Sequence, residues 1–142
     1  MLSEETKAMV MGAVGLSEDE VAKFHPGLGK LFGSIDKTPP VQIVAEVVKA
    51  RHCLAQVKKG DRFVFDPYLN PEKSSGVMCP RALLPVLVQV NAIWEMGTER
   101  AESGKTDLPE IVFRNVRCLD PGFEDGGVGG VVYNIRQEKI AT

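Results

Sequence analysis

A run of apolar residues that begins at Cys79-Pro80 constrains the fold of this chain more than any other stretch. If Cys79 caps a helix, Pro80 takes the first helical position, where its missing N–H group loses no partner. Pro85 removes a helical hydrogen bond and predicts a kink or a new start. Because the apolar residues lie on more than one face, the helix is predicted to be mostly buried. These apolar residues are Leu83, Leu84, Leu87, Val90, Ile93 and Trp94.

Segments with strand-like patterns lie on both sides of this helix. Alternate residues of 41–50 are apolar, and a short link joins this strand to a second one over 62–66, which predicts an antiparallel hairpin. Residues 67–78 predict a loop, and further strands are predicted over 110–118 and 131–136. This order predicts an α+β fold, in which the central helix covers a mainly antiparallel sheet of about four strands.

Residues 1–40 predict a helical extension. Ser3 is placed to cap a first helix, and Ser17 with Glu20 forms a capping box for a second one. A segment of this size is too small for an independent core, so we expect it to pack on the main body or on a partner subunit. The chain is thus predicted to divide into a helical extension over 1–40, which ends in a stiff linker over 34–40, and a single α+β domain over 41–142.

Charge and hydropathy exclude several classes of partner. The net charge is -2, and no basic block supplies the concentrated positive surface that nucleic acid requires. The longest apolar run, 82–88, is far shorter than the roughly 20 residues that cross a bilayer. The N-terminal segment 1–5 is acidic, with Glu4 and Glu5, and lacks the pattern of a signal peptide. Three cysteines without a close pair argue against a disulfide framework, so we expect a cytoplasmic protein.

The three cysteines form the first candidate site. Cys53, Cys79 and Cys118 each lie next to a predicted strand or helix end, so the fold can bring them together. Thiolates bind zinc and iron, and His52 or Asp120 is available as a fourth ligand. The competing interpretation is that the three are core residues, because free cysteines are commonly buried.

Cys79 by itself is the second candidate. A helix N-terminus lowers the pKa of a thiol, and His52 with Asp120 or Asp61 can act as base and orienting group. The alternative is that Cys79 caps the helix and packs. The glycine-rich segment 125–130 can wrap an anion with its N–H groups, although it precedes a strand and is more typical of a flexible loop.

The segment from about 41 to 135 resembles a family of small uncharacterised proteins found mostly in anaerobic bacteria and archaea. The family often has a histidine between its first cysteine and its Gly-Asp pair, whereas here His52 precedes Cys53. Since the family has no established activity, the resemblance supports the choice of residues and implies no reaction. The matching residues are Cys53, Gly60-Asp61-Arg62-Phe63, Cys79-Pro80-Arg81-Ala82-Leu83, Pro85 and Cys118-Leu119-Asp120.

Two functions follow as predictions. The first is a small accessory or structural subunit of a larger metabolic enzyme assembly, which binds zinc or iron through Cys53, Cys79 and Cys118 and contacts a protein partner or further copies of itself. The alternative is a small enzyme of the lyase or transferase type that acts on a small organic acid. In that case Cys79 reacts at the helix N-terminus, and His52 and Asp120 assist.

Overall fold

A five-stranded sheet and four α-helices make up the described part of this computed structural model, residues 2–34, 40–105 and 107–140. The chain divides into two units. The first contains Met1–Pro39 and Glu95–Pro109, and the second contains Pro40–Trp94 and Glu110–Thr142. The stiff linker predicted over 34–40 falls largely outside the described residues.

The sheet is antiparallel throughout, with strand order β3-β2-β1-β5-β4. It confirms the predicted α+β class and the hairpin between the first two strands, but it has five strands where about four were expected. The strands are β1 (Val41–Arg51), β2 (Arg62–Phe65), β3 (Leu69–Ser75), β4 (Asn115–Arg117) and β5 (Gly130–Lys139).

Two of the predicted boundaries were wrong for physical reasons. β3 lies within the predicted loop 67–78; its sequence is polar and contains Pro71, which only an edge strand tolerates well. The predicted strand 110–118 is reduced to β4, and Phe113, which precedes it, is 78% exposed. Apolar residues alone did not identify which segment pairs with the sheet.

The core of the second unit combines one face of the sheet with the apolar side of a helix. On β5, Val131, Tyr133 and Ile135 alternate with partly exposed residues, as expected for a strand covered on one face. The other buried side chains on that face come from β1 and β2: Ile43, Ala45, Val47, Phe63 and Phe65.

The long helix α4 (Pro80–Glu102) starts where the sequence predicted and runs without interruption through Pro85. The expected new start at Pro85 is therefore wrong, because one helix continues through it. The expectation that it is mostly buried was wrong for one side, because Leu84, Leu87 and Val88 are 52%, 46% and 62% exposed. Its buried residues within the second unit are Ala82, Leu83, Val86, Val90 and Ile93.

The first unit contains α1 (Glu4–Val14), α2 (Glu18–Val21) and α3 (Pro26–Ser34). The predicted caps are confirmed: the Thr6 N–H donates to Ser3 Oγ at 3.1 Å, and both halves of the Ser17–Glu20 capping box are present. The rings of Phe24 and Phe32 stack with their centroids 5.5 Å apart. Among the described residues, no helix is both long enough and apolar enough to cross a membrane.

Candidate thiol site

The three cysteines lie at the ends of different elements of the second unit. Cys53 follows β1 by two residues, Cys79 directly precedes α4, and Cys118 directly follows β4. All three are free thiols and half-buried. Each cysteine is therefore held by the element that precedes or follows it.

Tyr133 of β5 carries a buried hydroxyl whose pKa is affected by all three thiols. It lies opposite Val47 of β1 and Val116 of β4, is fully buried, and its hydroxyl has no hydrogen-bond partner among the described residues. Burial raises the pKa of this hydroxyl far above its ordinary value, and the negative charge of thiolates at Cys79, Cys118 and Cys53 and of the Asp61 carboxylate raises it further. The fold thus places all three sulfur atoms within electrostatic reach of one hydroxyl.

This arrangement is not a preformed metal centre. Within residues 2–34, 40–105 and 107–140, no three His, Cys, Asp or Glu side chains are grouped closely enough to hold a metal ion. Ligation by Cys53, Cys79 and Cys118 would therefore require their side chains to turn toward one another. None of the three is tied into a disulfide.

Cys118 is positioned by its pairing with β5 and by the proline inside α4. Its N–H donates to the Val131 carbonyl at 3.0 Å, and the Val131 N–H approaches Cys118 Sγ at 3.3 Å. Pro85 has no N–H to donate to the carbonyl of Arg81, four residues earlier. The Leu119 N–H instead donates to that carbonyl at 3.0 Å, which fastens the segment after Cys118 to the first turn of α4.

Cys79 stands at the N-cap position of α4. Its carbonyl accepts the N–H groups of Ala82 and Leu83 at 3.0 and 2.9 Å, which is how the residue before a helix closes its first turn. The sequence predicted this position. The backbone role agrees with the capping interpretation, and it leaves the thiol itself free to react or to ligate.

The carboxylate of Asp120 accepts hydrogen bonds from the glycine-rich segment that follows it. Its carboxylate accepts N–H groups from Gly122 at 2.9 Å, Val128 at 3.0 Å and Gly129 at 3.3 Å. The Gly122 N–H contributes most to lowering the pKa of Asp120, the other two N–H groups and Arg81 add to it, and burial opposes the shift. Two N–H groups of the glycine-rich segment 125–130, those of Val128 and Gly129, thus bind the Asp120 carboxylate.

His52 lies next to Cys53 with an exposed side chain and a positive φ of 50°, a backbone region that is uncommon outside glycine. Gly129 packs against this turn so closely that a Cβ on it would overlap the Arg51 carbonyl oxygen and lie 2.6 Å from that of His52. The imidazole makes no hydrogen bond or ion pair with any described residue. His52 is therefore adjacent to one thiol and unconstrained.

Sequence reasoning did not single out Tyr133 as part of the site. The signal was present in the alternation of β5, because a tyrosine between Val131 and Ile135 on the apolar face must bury its hydroxyl. A buried hydroxyl ordinarily finds a hydrogen-bond partner. The lack of one at Tyr133 distinguishes this position from an ordinary core tyrosine.

No protein-family model matches this chain, no curated protein matches it, and no solved structure matches it. The resemblance described from the sequence motifs therefore stays a prediction. Function has to be argued from the site.

The first test concerns the Tyr133 hydroxyl. In reduced, metal-free protein we expect Tyr133→Phe to raise the free energy of unfolding by about 1 kcal/mol, because it removes a buried polar group without a partner. Tyr68→Phe is the matched control, since Tyr68 is 84% exposed and its change should stay within about 0.5 kcal/mol. Urea titration followed by circular dichroism measures both. A loss of stability in Tyr133→Phe would show that the hydroxyl is bonded in solution.

The second test concerns Asp120 and pH. Because its pKa is lower in the folded chain than in the unfolded one, its carboxylate stabilises the fold above the unfolded pKa of about 3.9. That contribution disappears as the pH falls through the lower folded pKa. We expect Asp120→Asn to lower the urea midpoint at pH 7, with a difference from the parent chain that shrinks below about pH 4. Asp125→Asn, in the same segment, should leave the midpoint unchanged at each pH.

Proposed function

We propose that the chain is a small accessory subunit of a metabolic enzyme assembly, and that it binds zinc or ferrous iron through Cys53, Cys79 and Cys118. The observation that carries the metal part is how hydrogen bonds and strand pairing join the segments that hold the three thiols. Cys118 bonds to Val131, which lies opposite Ala50 near the end of β1, and the next residue bonds to the first turn of α4. Three half-buried thiols from three distant segments form a soft donor set, which suits these ions.

A bound metal would give the buried Tyr133 hydroxyl a hydrogen-bond acceptor. The Tyr133 hydroxyl lacks a partner among the described residues, and metal-bound thiolates are strong hydrogen-bond acceptors next to it. Asp120 is a poor fourth ligand because its oxygen atoms already accept three backbone N–H groups. His52 or a solvent molecule would complete a tetrahedral set, and an open fourth position is characteristic of catalytic zinc sites.

The subunit part is supported by the outer side of α4. Leu84, Leu87 and Val88 follow one another at helical spacing and are each about half exposed or more. An apolar stripe of this kind is typical of a surface that a protein partner covers. The proposal therefore places a partner protein, or a second copy of the chain, against this side of the helix.

Metal content tests the first part of the proposal. Purified without an affinity tag under reducing conditions, the chain is expected to carry about one equivalent of zinc or iron, measured by plasma mass spectrometry. Cys53→Ser, Cys79→Ser and Cys118→Ser should each weaken zinc binding at least about tenfold. His25→Gln is the control, because His25 is in the other unit. Free zinc at 100 times its Kd should stabilise the parent chain by about 2.7 kcal/mol.

Metal content below about a tenth of an equivalent, with no zinc-dependent gain in stability, would contradict the metal part. Alkylation adds a second readout. We expect zinc to protect all three thiols from iodoacetamide until the protein unfolds or a chelator is added.

A second candidate function is favoured by the placement of Cys79 at the N-cap of a 23-residue helix. In a small enzyme of the lyase or transferase type, its thiol would act on a small organic acid. His52 is then the available base, since Asp120 is held by backbone N–H groups. Rapid alkylation of Cys79 alone, unaffected by zinc, would favour this function over metal binding.

The oligomeric state tests the subunit part. At micromolar concentration, light scattering is expected to give a mass that is a multiple of 15.5 kDa, or a complex with a co-purifying protein. Leu87→Lys should dissociate either assembly by placing a charge in the apolar stripe. Leu54→Lys is the control, because Leu54 is 79% exposed and lies outside the stripe. A monomer with no co-purifying protein would contradict this part.

A further inference from the structure

A small pocket lies beside Cys53, on the segment between β1 and β2. Its volume is about 240 Å³, and it is lined by Ala50, Arg51, His52, Cys53, Gln56, Val57 and Lys58. Drug-sized ligands occupy pockets of roughly 300–1,000 Å³, so this one suits a smaller molecule. The proposed metal site does not use the pocket beyond Cys53 and His52.

The cationic groups of this pocket lack ion-pair partners. Some arginines elsewhere are paired, as Arg62 is with Glu138 at 3.2 Å and Arg136 with Glu46 at 2.7 Å. Within the described ranges, neither Arg51 nor Lys58 forms an ion pair. The nearby Asp61 carboxylate accepts the backbone N–H of Lys58 at 2.9 Å, which leaves the ammonium group free.

A third cation reinforces the charge at this end of the sheet. Arg51 lies opposite Gly130, and Arg117 lies opposite Val132, two residues further along β5, so both arginines project from the same face. Arg117 Nη2 is 3.1 Å from where a Cβ on Gly130 would stand. Because Gly130 has no side chain, the Arg117 guanidinium can lie over it.

The backbone of the pocket is held in an unusual shape. His52 and Gln56 have φ values of 50° and 59°, which non-glycine residues seldom adopt. Both the backbone N–H and the side-chain amide of Gln56 donate to the Cys53 carbonyl, at 3.1 and 3.3 Å. Backbone held this way costs about 1–3 kcal/mol per residue and is concentrated at ligand sites and active sites.

We propose that this pocket binds a small organic acid, whose carboxylate pairs with Arg51 and Lys58 while its short apolar chain contacts Ala50 and Val57. Guanidinium and ammonium groups supply charge-assisted hydrogen bonds to carboxylate oxygens. Ala50 and Val57 are apolar lining residues that an inorganic anion would leave without a partner. The acid would lie beside Cys53, which also lines the pocket.

Binding to metal-free protein tests this assignment separately from the metal. The reduced full chain, with chelator present, is titrated with sodium butyrate at constant ionic strength and followed by amide chemical shifts. We expect saturable shifts centred on residues 50–58. Arg51→Gln and Lys58→Gln should each weaken binding about tenfold or more, because each removes a charge-assisted hydrogen bond. Arg114→Gln, another exposed arginine of the same unit, should change it less than about twofold.

Two further ligands distinguish the contribution of the negative charge to the affinity from that of the apolar chain. Butan-1-ol, which lacks the charge, and inorganic phosphate, which lacks the apolar chain, should each bind at least about tenfold more weakly than butyrate. Equal affinity for phosphate would overturn the assignment of an organic acid. Unsaturable shifts, or unchanged binding in Arg51→Gln and Lys58→Gln, would overturn the pocket itself. Since the measurement contains no metal, a negative result leaves the metal proposal to its own test.

Discussion

The pairing of β1 with β5 is the interaction on which the rest of the second unit depends. Residues 41–51 and 130–139 are far apart in the chain, yet they form the longest ladder of the sheet. This pairing brings the segment after β1, with Cys53, next to the glycine-rich segment before β5. It also places Tyr133 between β1 and β4, opposite Val47 and Val116. Without the ladder, the proposed metal site and the proposed acid pocket would not exist.

Proline and glycine residues complete the geometry that the ladder begins. Pro85 frees the Arg81 carbonyl to accept the Leu119 N–H, so a residue that weakens the helix secures the neighbouring loop. Gly129 allows close approach to the turn at His52, and Gly130 leaves room for the Arg117 guanidinium. The Asp120 carboxylate then accepts hydrogen bonds from the N–H groups of Gly122 and Val128. The segments that carry Cys53, Cys79 and Cys118 are thus each fixed by backbone hydrogen bonds or steric fit.

The proposed metal site and the proposed acid pocket share Cys53. The three thiols are half-buried, and the pocket that includes Cys53 is also lined by Arg51 and Lys58. A soft metal and an organic anion are compatible neighbours, because a carboxylate can occupy a metal's open position. The exposed stripe of α4 is a separate surface, and it accounts for the subunit part of the proposal without involving either site.

Local rules were enough for the features that depend on neighbouring residues. The caps at Ser3, Ser17 and Cys79 and the alternation in β1 and β5 could be predicted from the sequence, because each depends on interactions within a few residues. The pairing of the polar strand β3, the exposure of Phe113 and the lack of a partner for the Tyr133 hydroxyl among the described residues could not, since long-range contacts decide them. Sequence by itself determined the α+β class, the start of α4 and the candidate cysteines. Only the tertiary structure decided what surrounds those cysteines, because strand register sets which side chains share a face.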